Sequence, residues 1–456
     1  MAQPKTTQGL PAEASAKAGR APRKRQRVLS GMRPTGKLHI GNYFGALPNW
    51  LKLQADDSND CYFFVADWHS LTSDYADTSQ TAQNSIEIAT DFLASGLDPN
   101  KSTIFQQSQI PEHAELHLLL SMVTPLGWLE RVPTYKEALE NIKGKDLHTY
   151  GFLGYPVLQT ADIVMYGEPD MPLVVPVGED QVAHVELSRE IGRSFNAYYG
   201  LEIDAMLYRT LENVKQLMRI QEVSRALGAL LPPDPTQWHP ISEVEESFRH
   251  EVRRLIAEFG FTNFLDKVGP LGKYLRRVEV LSEPQVMLTP TPRVPGTDGR
   301  KMSKSYNNSI ALGESDEEIW KKTRGMMTDP ARTYRTIPGN PDVCPVFSWH
   351  KLFSTPEAIQ RVNRDCRTAA IGCVDCKQVM ADALIRWIEP VRARRKEYES
   401  KPGEVLEILD AGSKKARDVA KSTMERVREA VFGWQKTRAA ITGGATATKR
   451  NIKAGD

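Results

Sequence analysis

This chain of 456 residues lacks the long apolar runs of a membrane protein and the overall positive charge of many nucleic-acid-binding proteins. No uninterrupted apolar run approaches the roughly 18 residues that a membrane-spanning helix needs, which predicts a soluble protein without a membrane partner. Neither sign of charge dominates, since 59 basic side chains face 57 acidic ones. Nucleic-acid binding would therefore depend on local basic patches. An apolar content of 40% is compatible with a real core, and the length fits two or three domains.

Cysteine is also scarce, and four of the five cysteines lie close together in the sequence. Cys61 falls in a predicted strand and is most simply a core residue. Cys344, Cys366, Cys373 and Cys376 have the spacing C-x21-C-x6-C-x2-C, and four such thiolates complete either a zinc site or a 4Fe–4S iron–sulfur cluster. Structural zinc sites usually bring two close pairs, whereas only one pair is close here. Four unrelated structural thiols are the remaining alternative.

Both ends of the chain differ in composition from the rest. Residues 1–27 are rich in Ala, Pro, Gln and basic side chains and contain one acidic residue, Glu13. They have no hydrophobic region of a secretory signal, and their prolines argue against the amphipathic helix of a mitochondrial transit peptide. We expect a disordered basic arm here and a disordered tail over residues 436–456.

Short apolar runs alternate with helical patterns from Val28 onwards. Residues 61–66 form a buried-strand candidate before the helical pattern of 80–97, and residues 102–107 precede the helical pattern of 112–122. This alternation predicts a parallel sheet covered by helices on both faces, the α/β arrangement. Ligands bind at the carboxyl ends of the strands in such sheets.

Three further segments carry structural expectations. Pro48 falls where the helix after Asn42 should continue, so we expect a short first helix or a kink there. Residues 201–280 are interrupted by P-P-D-P and predict a helical surface insertion of unknown role. Beyond residue 318 the chain is strongly helical, and its last predicted helices cover residues 379–398, 402–409 and 416–431.

Two short motifs, far apart in the sequence, have the chemistry of a nucleotide site. Residues 34–42 read P-T-G-K-L-H-I-G-N and supply a glycine-containing turn into a helix whose free backbone N–H groups can face phosphates. Residues 299–305 read G-R-K-M-S-K-S, and their lysines and serines suit a pyrophosphate on which charge builds. Each motif alone is modest evidence, because glycine turns and basic loops are common. Together they predict one ATP site, provided that folding brings them to the same triphosphate.

In this order the motifs are similar to the HIGH and KMSKS signatures of class I aminoacyl-tRNA synthetases. Over nearly all of residues 28–435, apart from 201–280, the chain resembles the bacterial tryptophanyl-tRNA synthetases. The resemblance rests on S-G-M-R-P-T-G at 30–36, V-A-D-W-H-S-L-T at 65–72, Y-P-V-L-Q-T-A-D at 155–162, V-P-V-G-E-D-Q at 175–181 and K-M-S-K-S at 301–305.

The resemblance implies activation of L-tryptophan by ATP, with release of pyrophosphate, and then transfer of the aminoacyl group to tRNA(Trp). Repulsion between negative groups is the barrier to the first step, so donors and cations must surround the phosphates, helped by Mg²⁺. The expected catalytic residues are His39, Lys301, Ser303 and Lys304. The resemblance also implies ATP contacts from Arg33, Pro34, Thr35, Gly41, Asn42, Gly178, Glu179, Asp180, Val286, Lys301, Met302, Ser303, Lys304 and Ser305.

Selection of tryptophan has a physical candidate in Asp162. Indole has one hydrogen-bond donor, its ring N–H, and a buried carboxylate that accepts this bond would reject phenylalanine. Asp162 lies in an apolar run and matches the family's indole-reading aspartate; a helix-capping role is the alternative. Gln159 departs from the methionine often seen at its position and has no assigned role. The resemblance places Tyr155, Val175 and Val177 in the ring slot, Gln181 near the amino group and His69 beside the pocket.

A subset of bacterial tryptophanyl-tRNA synthetases has nearly the same cysteine spacing, with C-P-V at the start and I-G-C-V-D-C-K at the end. Both stand here, at residues 344–346 and 371–377. The resemblance therefore favours a 4Fe–4S cluster over zinc, as a brace for the surface that reads the anticodon. Nearby basic residues that would meet RNA phosphates are Arg361, Arg364, Arg367 and Lys377.

The implied architecture is a Rossmann-type, doubly wound parallel sheet followed by an all-helical anticodon-binding domain, in a cytoplasmic homodimer. Two alternatives stay open: a tyrosyl-type synthetase, which would read a phenolic hydroxyl, and a non-catalytic tRNA-binding paralogue, which would have lost the signature residues. The expected domains are the arm 1–27, the catalytic parts 28–200 and 281–318, the insertion 201–280, the helical domain 319–435 and the tail 436–456.

Overall fold

A computed structural model describes residues 25–141, 145–231, 234, 245–289 and 294–442. The strands are β1 Gln26–Met32, β2 Asn59–Val65, β3 Ser102–Gln106, β4 Leu173–Val177, β5 Leu201–Ile203, β6 Leu275–Arg277 and β7 Gln285–Leu288. The helices up to the insertion are α1 Ile40–Gln54, α2 Asp67–Asp74, α3 Thr81–Ser95, α4 Glu112–Ser121, α5 Leu126–Leu129, α6 Pro133–Asn141, α7 Tyr150–Leu153, α8 Tyr155–Val164 and α9 Val182–Tyr199. The later helices are α10 Met206–Arg209, α11 Leu211–Leu217, α12 Gln221–Leu227, α13 Glu245–Phe259, α14 Phe261–Val268, α15 Asp316–Arg324, α16 Pro345–Phe353, α17 Pro356–Arg367, α18 Cys373–Glu399, α19 Pro402–Phe432 and α20 Trp434–Ile441.

The centre of the molecule is a five-stranded sheet in the order β3-β2-β1-β4-β7. All of its pairings are parallel, from Leu29 opposite Tyr62 to Val175 opposite Val286. Each of the strands β1 to β4 contains at least three consecutive buried residues, which is typical of a parallel sheet covered on both faces. The α/β fold class predicted from the sequence is thus confirmed, and the strands' carboxyl ends share one edge.

The C-terminal helix α19 covers one edge of this sheet. Helix α19 lies against the edge strand β3, where a side chain at Gly412 would bring its Cβ within 1.8 Å of the Ile104 carbonyl oxygen. At the same crossing, the Gln106 N–H donates to Ser413 Oγ. Only glycine allows this approach, and the helix protects an edge that would otherwise be open to pairing.

Helix α1 differs from the sequence prediction. It is 15 residues long and continues through Pro48, so the expected short helix is wrong. Its apolar face explains the continuation, because Leu47 and Trp50 are buried and Trp50 stacks on Phe63 at 4.6 Å between ring centroids. That packing outweighs the one helical hydrogen bond that proline removes.

The chain ends and the C-terminal helices also depart from the expectations. Strand β1 starts at Gln26, inside the expected arm, and helix α20 extends to Ile441, inside the expected tail. Most of the arm (residues 1–24) and of the tail (443–456) lies outside the described residues. The separate helices expected over 402–409 and 416–431 form one helix, α19, because its buried residues keep the same helical spacing throughout.

Residues 201–280 have a hydrophobic core of their own, which includes Leu207, Phe248 and Phe264. They are not purely helical, because β5 and β6 pair as a short antiparallel ribbon. Helix α14 ends at Val268 and is followed by a 3₁₀ turn and β6. No helix among the described residues is long and apolar enough to cross a membrane.

Candidate active site

A cleft of about 1330 Å³ opens at the carboxyl edge of the sheet. Both sequence motifs contribute to its wall, and so does the region around Asp162, so one cavity spans the predicted nucleotide and amino-acid regions. The predicted site residues that line it are Arg33, Pro34, Thr35, His39, His69, Tyr155, Asp162, Val175, Val177, Gly178, Gln181, Ser303 and Lys304.

The two motifs are in direct contact. Lys304 Nζ donates to the Thr35 carbonyl oxygen at 2.8 Å, and the Gly41 N–H lies 3.3 Å from Met302 Sδ. Gly36, at a φ of 92°, has a left-handed backbone that favours glycine, and a Cβ added there would lie 3.5 Å from Lys304 Nζ. Folding therefore meets the requirement on which the prediction of a shared ATP site depends.

His39 holds the start of helix α1. Its Nδ1 accepts the Asn42 N–H at 3.1 Å, and the Asn42 side chain accepts the His39 N–H at 3.2 Å, which completes a capping box. Burial, assisted by the positive charge of Lys304, lowers the pKa of His39 to about 4. The ring is therefore neutral near pH 7, with Nδ1 as acceptor and Nε2–H as the donor left for a ligand.

Two cations flank the turn. Arg33 Nη2 donates to Ser73 Oγ at 3.2 Å and lies 3.8 Å from Asp74, while Asp74 also pairs with Lys145. Burial lowers the pKa of both Arg33 and Lys304. Sequence reasoning missed Ser73, Asp74 and Lys145, because none belongs to a recognisable motif; only their places in the fold bring them to the cleft.

Asp162 is 1% exposed and holds a dense set of hydrogen bonds. Its carboxylate accepts from Gln107 Nε2 at 2.7 and 2.9 Å, contacts His113 Nδ1 at 2.6 Å and contacts His69 Nε2 at 2.8 Å. His113 Nε2 in turn lies 2.8 Å from the Tyr166 hydroxyl. Burial alone would raise the pKa of Asp162, but the bonds from His113 and His69 hold it at about 2. The group is an ionised acceptor, and not merely a helix cap.

The wall beside Asp162 is apolar with one polar corner. Phe64 covers Gly31, where a Cβ would lie 2.6 Å from the ring and so exclude any larger residue. In the polar corner, the Tyr155 hydroxyl lies 2.5 Å from Thr134 Oγ1 and 3.0 Å from His184 Nε2. Neither Thr134 nor His184 was predicted, although His184 lies three positions after the predicted Gln181.

Some predicted ATP residues are not in the wall of the cleft. Met302 is buried against Gly41, Asn42 serves the helix cap, and Lys301 is exposed next to the cleft. Gly41 lies directly behind the wall, where a Cβ would be 3.0 Å from the His39 ring. Glu179 and Asp180 are exposed, and Val286 lies in the edge strand β7; the side chain of Ser305 lies outside the described part.

The four clustered cysteines come together at the start of α18. Burial and the neighbouring thiols Cys344, Cys366 and Cys373 raise the pKa of Cys376 to about 12. Two nitrogen atoms lie near the thiols: His350 Nε2 is 3.4 Å from Cys376 Sγ, and Arg332 Nη1 donates to Cys366 Sγ at 3.8 Å. In the described ranges, no three His, Cys, Asp or Glu side chains are arranged to hold a metal ion.

The expectation that Lys377 contacts RNA phosphates is wrong. Its side chain is buried, and its Nζ donates to the Arg324 carbonyl oxygen at 2.9 Å, so it is not available to phosphates. It points inward because its position on α18 faces α15. Arg361, Arg364 and Arg367 are exposed on α17.

Comparison with known proteins agrees with this geometry. The family described as tRNA synthetases class I (W and Y) matches residues 21–219 and 267–389. The tryptophan–tRNA ligase of Ralstonia nicotianae is 45% identical, over 89% of this chain and 98% of its own length; that of Thermotoga maritima is 41% identical over the same shares. The tryptophanyl-tRNA synthetase of Campylobacter jejuni, solved with ADP and tryptophan, superposes with a TM-score of 0.64 at 29% identity, over 89% of this chain and 99% of its own.

The fold and the paired motifs define a class I aminoacyl-tRNA synthetase, and the family match covers most of the chain. Within that class, the chain belongs to the bacterial tryptophanyl-tRNA synthetases. The family match omits residues 220–266, which fall inside the insertion expected from the sequence.

Proposed function

We propose that the chain is a tryptophan–tRNA ligase that converts L-tryptophan and ATP to tryptophanyl-adenylate and pyrophosphate, then transfers tryptophan to tRNA(Trp). The contact of Lys304 with Thr35 at 2.8 Å, inside a cleft that also reaches Asp162, carries the proposal. It allows one triphosphate to meet both motifs while an indole ring occupies the same cavity. The relatives that share the fold carry this activity in their names.

In the first step, the tryptophan carboxylate attacks the α-phosphorus and the bond to the pyrophosphate oxygen breaks. Neutral His39 donates from Nε2–H to a phosphate oxygen, and Lys304, with its neighbour Lys301, stabilises the charge that develops on pyrophosphate. Arg33 and Ser303 line the same cleft. These groups are cations, hydroxyls and neutral donors, which bind an anion and not a metal ion. Mg²⁺ therefore enters bound to ATP and neutralises part of the phosphate charge.

Asp162 selects tryptophan by accepting the indole N–H. Its acceptor positions are already used by Gln107, His113 and His69, so a new donor must displace one of them. His69 is the donor at the cleft surface, with 11% of its side chain exposed, whereas that of His113 is 0% exposed. We infer that His69 turns aside when indole binds. Tyr155, Val175 and Val177 form the ring slot, and Gln181 faces the amino group.

The activity is tested by amino-acid-dependent exchange of pyrophosphate into ATP with each of the twenty amino acids. We expect exchange with tryptophan alone, followed by charging of tRNA(Trp). Exchange with tyrosine would support the tyrosyl-type alternative, and no exchange with any amino acid would support the non-catalytic paralogue. The variant Lys304→Ala is the negative control for contaminating activity.

The helical domain meets tRNA through α17, whose exposed Arg361, Arg364 and Arg367 form a basic face beside the cysteines. The cysteines hold a 4Fe–4S cluster that braces this face, with zinc as the alternative; it takes no part in the reaction. The proximity of the four thiols and the Arg332 N–H that donates to Cys366 Sγ support this. Anaerobic purification with iron, sulfide and zinc analysis decides it, and Cys61→Ala is the matched control for Cys376→Ala. Loss of iron from the Cys376 variant alone supports the cluster, whereas one zinc per chain contradicts it.

The protein acts in the cytoplasm as a homodimer. Exposed apolar side chains on α4, α5 and α7 supply the surface for a second copy: Leu118, Met122, Leu126 and Tyr150, each more than half exposed. Analytical ultracentrifugation of Met122→Glu should show monomers, while Leu406→Glu, near the start of α19, remains dimeric. A monomeric parent protein would contradict this proposal.

A further inference from the structure

A buried ion pair joins helix α3 to helix α18 beneath the ATP-binding turn. Asp91, on α3, is 0% exposed, and Arg395, on α18, is 1% exposed. Arg395 pairs with Asp91 and also with Glu87 and Glu399. Charges this deeply buried are costly unless they are paired, so the arrangement needs a reason beyond packing.

The second oxygen of Asp91 acts on the turn itself. Asp91 Oδ2 accepts the Leu38 N–H at 2.6 Å, and Leu38 immediately precedes His39. The Leu38 carbonyl oxygen accepts the Leu312 N–H at 2.9 Å. The Leu38 N–H is therefore bound by the buried carboxylate, and the Leu38 carbonyl oxygen is bound by the segment that follows the KMSKS loop.

Arg395 is fixed as tightly as its partner. A Cβ at Gly313 would lie 3.0 Å from Arg395 Nε and 3.1 Å from its Cδ, so glycine leaves room for the guanidinium. Gly313 directly follows Leu312, the residue that holds the Leu38 carbonyl. Helix α18 begins at Cys373 and is 27 residues long, so the link connects the helix of the cysteine cluster to the nucleotide turn. The charge of Asp91 also reaches Lys304, where it opposes the lowering of that lysine's pKa by burial.

We propose that Asp91 is a positioning residue for ATP: it fixes the turn that carries His39 through the Leu38 N–H, and Arg395 from the helical domain holds Asp91 in place. This inference rests on the proposed function. A purely structural ion pair would change stability without any selective effect on ATP, which makes the two interpretations separable.

Two double variants isolate the hydrogen bond from the charge. Asp91→Asn with Arg395→Met and Asp91→Leu with Arg395→Met both remove the buried pair, but only asparagine keeps an oxygen that can accept the Leu38 N–H. Pyrophosphate exchange, measured well below both melting temperatures, should give a KM for ATP no more than about threefold above the parent in the asparagine double variant, which keeps the acceptor and loses only the support of Arg395. In the leucine double variant we expect KM for ATP to rise about tenfold, the equivalent of one hydrogen bond, with KM for tryptophan within about twofold.

Equal KM values for ATP in the two double variants would overturn the inference, as would an equal rise for tryptophan. Gly313→Ala is a second variant, in case the leucine double variant does not fold. It keeps every charge but displaces Arg395, and we expect KM for ATP to rise at least threefold; an unchanged value would also overturn the inference. Failure of the proposed function would appear separately, as absence of tryptophan-dependent exchange in the parent protein.

Discussion

Replacing Asp162 by asparagine tests whether this residue recognises tryptophan by accepting the indole N–H. The variant keeps the volume and leaves an oxygen for Gln107 and His113, which lie 2.7 and 2.6 Å from Oδ1. Its NH₂ group then occupies the position of Oδ2, on the side that His69 shares with the cleft. An indole N–H would meet a donor in place of a charged acceptor.

The magnitude follows from the bond that is lost. A hydrogen bond to a charged group contributes roughly 1.5–3 kcal/mol, so KM for tryptophan should rise about 10- to 150-fold. KM for ATP should stay within about twofold, because no hydrogen bond of Asp162 connects it to the nucleotide turn. The preference for tryptophan over phenylalanine should fall by the same factor as KM rises, since the carboxylate no longer penalises a ring without a donor.

The assay is pyrophosphate exchange with tryptophan, phenylalanine and ATP varied in turn. Gln159→Ala is the matched control, because Gln159 lies on the same helix, lines the same cleft and has no assigned role. Its KM for tryptophan should stay within about threefold of the parent value. Equal changes in KM for tryptophan and ATP, or an unchanged preference against phenylalanine, would refute the reasoning.

Three further predictions concern the lysine loop, the histidine and the edge of the sheet. Lys304→Ala should lower kcat for exchange about 100-fold or more with little change in KM for ATP, since it stabilises charge that develops only in the transition state; a rise in KM at constant kcat would contradict this. The folded pKa of His39, about 4, lies below its ordinary 6.5, so its contribution to stability is complete above pH 6.5 and is lost as pH falls towards 4. NMR titration of its Cε1–H checks this, with His39→Asn, which retains a cap, to assign the signal; a midpoint near 6.5 would show the prediction wrong. Gly412→Ala should reduce the free energy of unfolding by roughly 3 kcal/mol, because its Cβ meets the Ile104 backbone. The control is Gly403→Ala on the same helix, whose Cβ would have nothing within 4 Å and should not destabilise the protein. Equal melting temperatures of the two variants would contradict the packing of α19 on the edge strand.

Local sequence pattern determined the fold class and much of the candidate site. Strands β2 and β3 were predicted to within two residues at each end, because each contains consecutive β-branched or aromatic residues bounded by polar, turn-forming segments. The glycine turn at 34–42 was singled out by its residue types and their order, and Asp162 by its apolar run and the family resemblance; their binding roles stay predictions. The contact between the two motifs was a condition of that prediction, and the distance from Lys304 to Thr35 meets it.

The tertiary structure alone decided which distant side chains surround those residues. Gln107 and His113 reach Asp162 from the turn after β3 and from α4, Arg395 reaches Asp91 from the C-terminal helices, and Lys377 turns inward. No repeating pattern in the sequence indicates these pairings, because each depends on how helices and strands far apart in the chain pack together. A local pattern specifies which face of an element is buried, but the partner on that face is chosen by close packing of the whole core.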